Sequence, residues 1–413
     1  MAGKLQAPPG TFDVLPEDGG KRRELYRRAG AVLTRAGYLP FDSPVMEDVE
    51  VYVRGVVEST DIVRKEMFTF EDMGGRSRAL RPEGTAGVCR ADAQHGMHKT
   101  PQPVKLWYWG PFFRHERPQA GRYRQFAQVG VEALGSDDPS LDAESVLLLA
   151  ELLEAAGVRE CRLRLSSLGT TESRAAYLEE LRAYLRAHED RLSADALARI
   201  DDNPLRAFDA DHEGTRAVME GAPRLLDRLA QEDAEHFAEV RALLDDAGVS
   251  YIVDPTLVRG LDYYTRTVFE FESDKLGAQS GLGGGGRYDG LVEELGGPPT
   301  SGVGWAAGIE RVLLASESNF PAPSRPVFVA LDAGGTRRAA FNVVTALREA
   351  GVRSEMEQAG RSIKGQMRQA DRLNARAVAI VGEQMAWRDM DTGEQRPVTG
   401  VQEIVRIAVG FGT

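Results

Sequence analysis

Residues 110–132 read GPFFRHERPQAGRYRQFAQVGVE, two β-like runs around an arginine-rich loop. Strand side chains point to opposite faces with a period of two. In the first run Phe112, Arg114 and Glu116 share one face, and Phe113 and His115 the other. In the second, Ala127, Val129 and Val131 make an aliphatic face suited to a core, while Phe126, Gln128, Gly130 and Glu132 make the opposite one. The non-aliphatic face combines an arginine, an aromatic ring, an amide and a carboxylate. These groups suit a phosphate, a flat base and a small zwitterion. An exposed antiparallel hairpin with a charged turn would alternate in the same way, so the rest of the chain has to decide between the two readings.

The chain has 413 residues, too many for one ordinary core, which predicts two or three domains. Hydrophobic residues make up 42% and charged residues 28%, a globular composition. No apolar run approaches the roughly 20 residues that span a bilayer. The N-terminus, MAGKLQAPPGTFDVLP, lacks the basic-then-apolar layout of a signal peptide. A cytoplasmic protein without a membrane partner is therefore expected. Cys89 and Cys161 form no metal or redox motif, in keeping with reduced thiols. A net charge of −12 argues against a bulk polyanion binder, but from Arg325 onward 13 Lys and Arg face 10 Asp and Glu, a local net of +3. A nucleic acid has a place to dock there and on the arginine-rich loop.

Outward from the hairpin, Lys21 to Ala36 is an amphipathic helix ended by Gly37, followed by an extended run from Tyr38 to Pro44. Arg81 to Ala93 reads as a helix with Thr85 as its N-cap. Asp142 to Ala156 is helical and Arg162 to Leu168 a strand. From Thr171 to about Ala247 the chain is rich in Ala, Arg, Glu and Leu with helical periodicity, which predicts a helical insertion. Strands return at Tyr251–Val253 and Thr267–Phe271. Beyond the linker-like Pro321 to Pro326, strands and helices alternate, the mark of a separate small α/β domain.

Three further segments carry chemistry. GLGGGGRYDGL lacks the Lys-Ser or Lys-Thr of a P-loop and does not open a helix. Its glycines allow close approach of a ligand or another backbone, as the floor of a pocket or as a flexible turn. LVRGLDYYTRTVFEF places Arg259, Tyr263 and Tyr264 near the start of a strand. A planar guanidinium there suits a carboxylate or phosphate. GIERVLLAS puts Arg311 at the beginning of a helix. His95 and His98 have ligand-like spacing but no acidic or thiol partner at suitable distance, so no side-chain metal site is read.

Taken together these motifs resemble the histidyl-tRNA synthetase family of the bacterial type, a class II aminoacyl-tRNA synthetase, over nearly the whole length. FRHERPQAGRYRQFAQVGVE looks like motif 2, RGLDYYT the histidine-specific segment, GLGGGGRYDGL and GWAAGIERVLL the remaining active-site strand and motif 3. The helix and extended run into Pro44 look like motif 1. The resemblance implies an α+β fold: an antiparallel sheet flanked by helices, a helical insertion and a C-terminal α/β anticodon-binding domain. The implied division is a first catalytic part at 1–170, the insertion at 171–247, a second catalytic part at 248–320 and the anticodon-binding domain at 326–413. It also implies ATP as substrate, Mg²⁺ with its phosphates, L-histidine, tRNA(His), and a homodimer with motif 1 at the interface.

By the same resemblance, Arg114, Arg259 and Arg311 are the catalytic residues. Arg114 holds the α-phosphate and the attacking carboxylate. Glu116 contacts the adenine edge, Phe126 stacks on the base, and Arg311 lies near its other face and the γ-phosphate. Arg259 sits by the α-phosphate and carboxylate. Glu83, Gly84, Thr85 and Gln128 surround the α-amino group, and Glu132 and Tyr264 bond the imidazole, with Tyr263 nearby. Arg117, Gln119, Arg122 and Arg124 face the tRNA acceptor end. The alternative is a catalytically inactive paralogue acting as a histidine-sensing regulatory subunit. Such relatives lose parts of these motifs and the C-terminal domain, whereas Arg114, Arg259, Arg311 and the C-terminal α/β segment are all present.

Overall fold

The computed structural model describes residues 4–56, 62–277, 280–321 and 324–410. The chain divides into two compact units, Met1–Phe320 and Pro321–Thr413. Strands of the first unit are β1 (Leu39–Pro40), β2 (Met46–Asp48), β3 (Phe68–Glu71), β4 (Ser77–Leu80), β5 (Val104–Phe113), β6 (Gln125–Leu134), β7 (Arg162–Ser167), β8 (Ile252–Val253), β9 (Thr265–Glu272), β10 (Gly281–Arg287) and β11 (Gly302–Gly308). Eight of them form one sheet in the order β1-β5-β6-β11-β10-β9-β7-β8, and β2-β4-β3 form a smaller one. The large sheet is antiparallel from β5 through to β7, with parallel pairing only at its edges, β1 on β5 and β8 on β7.

The hairpin of residues 110–132 joins β5 and β6, the second and third strands of this sheet. Phe112 pairs with Phe126 across β5 and β6. Ala127, Val129 and Val131 enter one core with Phe269 and Trp305, covered by the helices Pro16–Arg35, Pro139–Ala155 and Gln231–Asp246. Phe112 enters a second core on the other face with Tyr108, Val268 and Tyr288, where the helix Thr85–His95 packs. Alternation along β6 thus separates a purely structural face from the face that carries polar groups.

One local reading changes and one open reading closes. Thr85 is the first helical residue and does not cap its helix. The cap is Glu83, whose carboxylate accepts from the Thr85 and Ala86 amides at 2.7 and 2.9 Å. This frees the Thr85 hydroxyl to turn into the site. The glycine run, open between pocket floor and flexible turn on its residues alone, is the strand that the resemblance implies: β10, between β9 and β11. A Cβ on Gly285 would overlap the Gly304 carbonyl and lie 2.6 Å from Trp305 Cα, so the backbones approach closer than any side chain allows. Arg287, at the end of this strand, is fully buried and binds Asp142 of the helix Pro139–Ala155 through Nε, at 3.2 and 3.1 Å.

Between β7 and β8 the chain builds the helical insertion, with helices Ala175–Arg186, Ala194–Arg199, Glu213–Glu220 and Gln231–Asp246. In the second unit β12 (Val327–Leu331), β13 (Ser354–Met356), β14 (Ala377–Val381), β15 (Met385–Asp389) and β16 (Gln395–Val398) form a sheet in the order β13-β12-β14-β15-β16. The first three are parallel and alternate with the helices Arg337–Glu349 and Ile363–Arg372. The sequence reading anticipates these but not the hairpin β15–β16, whose outer strand contains Pro397 and an exposed Gln395-Arg396 pair. Proline is tolerated there because an edge strand leaves one row of amides unpaired. Among the described residues no helix is long and apolar enough to cross a membrane.

Candidate active site

A cavity of about 490 Å³ opens on the polar face of the sheet. Its wall includes Arg114, Glu116, Phe126 and Gln128 of the hairpin, Arg259 and Glu270 from the segment around β9, and Arg311 after β11. Its floor includes Gly283 and Gly284. A Cβ on Gly284 would overlap the Phe269 carbonyl and sit 3.1 Å from Arg259 Nη2. Glycine at this position therefore lets the Arg259 guanidinium lie flat on the strand.

The arginines are held in defined positions. Arg114 Nε donates to the Pro82 carbonyl at 2.9 Å, and its guanidinium lies 5.4 Å from the Phe126 ring centroid, in cation–π range. Arg259 Nη1 pairs with Glu270 at 2.9 Å. Burial opposes its charge, but the Glu270 carboxylate holds its pKa above the usual arginine value. Arg311 Nε donates to the Gly281 carbonyl at 2.5 Å. Its pKa is lowered by burial and by the neighbouring Arg122 charge, with Glu270 and Glu116 pulling the other way. Arg259 Nε and Gln128 Oε1 are buried with no hydrogen-bond partner in the protein. Buried polar groups are nearly always paired, and these two meet at a cavity wall, so a ligand is the natural partner.

A second cluster adjoins the cavity without lining it. Glu132 is fully buried and accepts hydrogen bonds from the hydroxyls of Thr85 at 2.7 Å, Tyr108 at 3.2 Å and Tyr288 at 2.5 Å. Burial nonetheless pushes its pKa up to about 8, because desolvation of the charged form outweighs the donors. Glu83 is also raised by burial, with Arg114 pulling the other way. Tyr263 and Tyr264 are buried beside them, ring centroids 4.8 Å apart, and Tyr263 meets Tyr288 edge-on at 5.8 Å. The hydroxyls that reach Glu132 are those of Thr85, Tyr108 and Tyr288 rather than that of Tyr264. Gly84 and Gly130 are shaped by Tyr108, whose ring occupies the space a Cβ would need at either position.

The loop between β5 and β6 divides its polar residues. Arg117 and Gln119 are exposed, and Gln119 pairs through its backbone with Arg122 across a tight turn. The Arg122 side chain turns into the cavity and binds Glu116 at 3.2 Å. Arg124 Nε donates to the Glu116 carbonyl at 3.3 Å, and its amide donates to Gly10 O at 2.8 Å. Of the groups in or beside the site, sequence reasoning missed Tyr108, Arg206, Glu270 and Tyr288. Tyr288 stands in the quoted GLGGGGRYDGL, and Tyr108 directly opposite Gly130. Nothing local marks Arg206, which arrives from the insertion.

No group of three or more metal-binding side chains occurs among the described residues. Of the lining carboxylates, Glu116, Glu270, Glu272 and Glu310 are each engaged by an arginine, and Glu66 also reaches the cavity wall.

A largely antiparallel sheet that spreads arginines over a glycine-rich strand, with a separate α/β unit downstream, is the architecture of a class II aminoacyl-tRNA synthetase. The family model for histidyl-tRNA synthetase matches residues 10–312, and that for the anticodon binding domain matches residues 327–407. The chain belongs to the histidyl-tRNA synthetase family. It is 48% identical to the histidine–tRNA ligase of Rubrobacter xylanophilus, covering 95% of this chain and 96% of that protein. It is 49% identical to that of Halorhodospira halophila, covering 92% and 90%. The crystal structure of apo S. aureus histidyl-tRNA synthetase superposes with a TM-score of 0.81 at 34% identity, covering 98% of this chain and all of that one.

Proposed function

We propose that this chain ligates L-histidine to tRNA(His) in two steps, through a histidyl-adenylate. In the first, a histidine carboxylate oxygen attacks the α-phosphorus of ATP. The new O–P bond forms as the bond to the β-phosphate breaks, and pyrophosphate leaves. In the second, a ribose hydroxyl at the tRNA 3′ end attacks the activated carbonyl, and AMP leaves. Such chemistry needs in-line positioning and neutralisation of charge more than a protein nucleophile. Arg114 and Arg259 are assigned to the α-phosphate and the carboxylate, and Arg311 to the γ-phosphate. Phe126 and Glu116 take the adenine.

The observation that carries this reading is the junction of two opposite environments. Arginines converge on a cavity with an unpartnered Arg259 Nε and Gln128 Oε1. Beside it, two buried carboxylates, Glu83 and Glu132, have raised pKa values. Carboxylates pushed up by burial favour a positively charged or proton-donating neighbour. An α-ammonium at Glu83 and Gln128, and an imidazole N–H at Glu132, supply such neighbours. A ligand without those donors forfeits its hydrogen bonds inside a buried site, and sites built on such bonds discriminate by roughly 10⁴–10⁵. Mg²⁺ travels with the ATP phosphates. The exposed Arg117 and Gln119 are assigned to the acceptor end, and two copies of the chain form the working dimer.

Histidine-dependent ATP–pyrophosphate exchange is the test. With each of the twenty amino acids supplied in turn, exchange should appear with histidine alone. A folded preparation that gives no exchange with histidine overturns the proposal.

A further inference from the structure

The segment Arg259–Arg266 carries three of the residues assigned to histidine and ATP, and five hydrogen bonds tie it to the insertion, four of them through insertion residues that do not line the larger cavity. Arg206 Nη1 donates to the Arg259 carbonyl at 3.3 Å. Asn203 Nδ2 donates to Asp262 Oδ1 at 2.6 Å. Arg174 Nη1 donates to the Tyr264 carbonyl at 2.8 Å. Arg266 Nε donates to Asp233 at 3.0 Å, and its Nη2 reaches Glu232 at 2.6 Å. Asp233 also accepts from the Thr170 amide at 3.0 Å and the Ser173 hydroxyl at 2.5 Å, tying the entry to the insertion and the start of its last helix to the same anchor.

Two features indicate that these bonds set the segment's position. First, Arg266 has φ +43°, a left-handed conformation that a residue with a long side chain keeps only when its surroundings over-determine it. Second, a cavity of about 190 Å³ separates the segment from the insertion, lined by Leu168, Arg174, Asn203, Asp262 and, shared with the larger cavity, Arg206 and Arg259. The cavity interrupts the apolar packing that joins Leu257, Tyr263 and Tyr264 to the insertion, and around it discrete hydrogen bonds supplement dispersion contacts.

We propose that the helical insertion is a clamp on the Arg259–Arg266 segment, with Asn203, Arg174 and Asp233 as positioning residues for adenylation. None of these three lines the larger cavity. They act through the place they give to the Arg259 guanidinium and the Tyr264 ring. A displacement of about 1 Å at a reacting group is enough to lower a rate on the order of a hundredfold. The inference rests on the adenylation reading above.

The test uses the full-length protein in tRNA-free exchange. Asn203→Asp sets a second carboxylate against Asp262. Asn203→Asp with Asp262→Asn exchanges donor and acceptor and restores the bond. Asn203→Asp should lower exchange kcat on the order of tenfold, with ATP KM little changed. Amide hydrogen exchange should rise in the peptide covering 257–264. The double variant should recover both. Unchanged kcat in a folded Asn203→Asp protein overturns the clamp, and so does a loss that the double variant fails to restore. If the unmodified protein shows no exchange, the ligase reading fails instead. The hydrogen-exchange comparison then still decides the clamp, since unaltered protection of 257–264 in Asn203→Asp refutes it.

Discussion

Glu132 sets the tone of the site at the scale of single residues. Three hydroxyls point at it, yet burial places its pKa near 8. Its folded value lies above the ordinary 4.5, so the folded protein holds a proton that the unfolded chain releases between those two points. The group's contribution to stability is complete below about pH 4.5 and is lost as pH rises through about 8. Thermal melts of the ligand-free protein from about pH 5 to about pH 8 should therefore fall more steeply for the parent than for Glu132→Gln, which cannot ionise. Parallel curves would show that Glu132 does not titrate in this range. Arg259 poses a kinetic question instead. Its truncation to alanine removes a cation aimed at charge that develops during adenylation, so kcat for exchange should fall by about 10²–10³ while histidine KM changes little. Equal losses in kcat/KM and in histidine affinity would reduce its role to ground-state binding. Arg114, Arg259 and Arg311 were named from sequence through the resemblance of their motifs to a known family, since a lone arginine at the end of a strand or the start of a helix is as readily a surface residue. Tyr108 was not, because its hydroxyl becomes part of the site only through the strand register that sets it opposite Gly130.

Elements show the same division between what patterning reveals and what neighbours decide. β6 was legible because its aliphatic residues alternate with polar ones: Ala127, Val129 and Val131 enter one core, while Phe126 of the opposite face packs against the other. β10 was not, because five of its seven residues are glycine and offer no side chain with which to show a period of two. What defines it as a strand lies in its neighbours: Gly285 faces Phe269 on one side and Trp305 on the other. Gly285→Ala should accordingly destabilise the protein by about 1–3 kcal/mol or more through overpacking, since the obstructing atoms are backbone and cannot rotate away. Urea unfolding would measure this, and a change below about 0.5 kcal/mol would place the mutation among neutral surface substitutions and contradict the close approach. The hairpin β15–β16 escaped notice for a related reason. Its strands are short, charged and interrupted by Pro397, so pairing to β14 rather than propensity makes them strands.

The whole molecule joins two chemistries with different electrostatic demands. As proposed, adenylation takes place in a cavity where arginines are paired with carboxylates or aimed at backbone carbonyls, and its charges are partly shielded from salt. On the proposed reading, recognition of tRNA relies instead on exposed cations: Arg117 on the loop between β5 and β6, and the C-terminal segment whose net charge of +3 stands out in a chain of −12. Phosphate contacts release counterions, so each one adds about 0.7–0.9 to the slope of log affinity against log salt. Raising salt from about 50 to about 200 mM should therefore increase the KM for tRNA(His) severalfold or more, while histidine-dependent exchange without tRNA changes much less. Arg117→Ala should lower the tRNA slope by about 1 and leave exchange untouched. Steady-state aminoacylation and exchange measured side by side across that range provide the check. If both activities fell together with salt, the loss would lie in the adenylation cavity itself, and the separation of roles between shielded and exposed arginines would not hold.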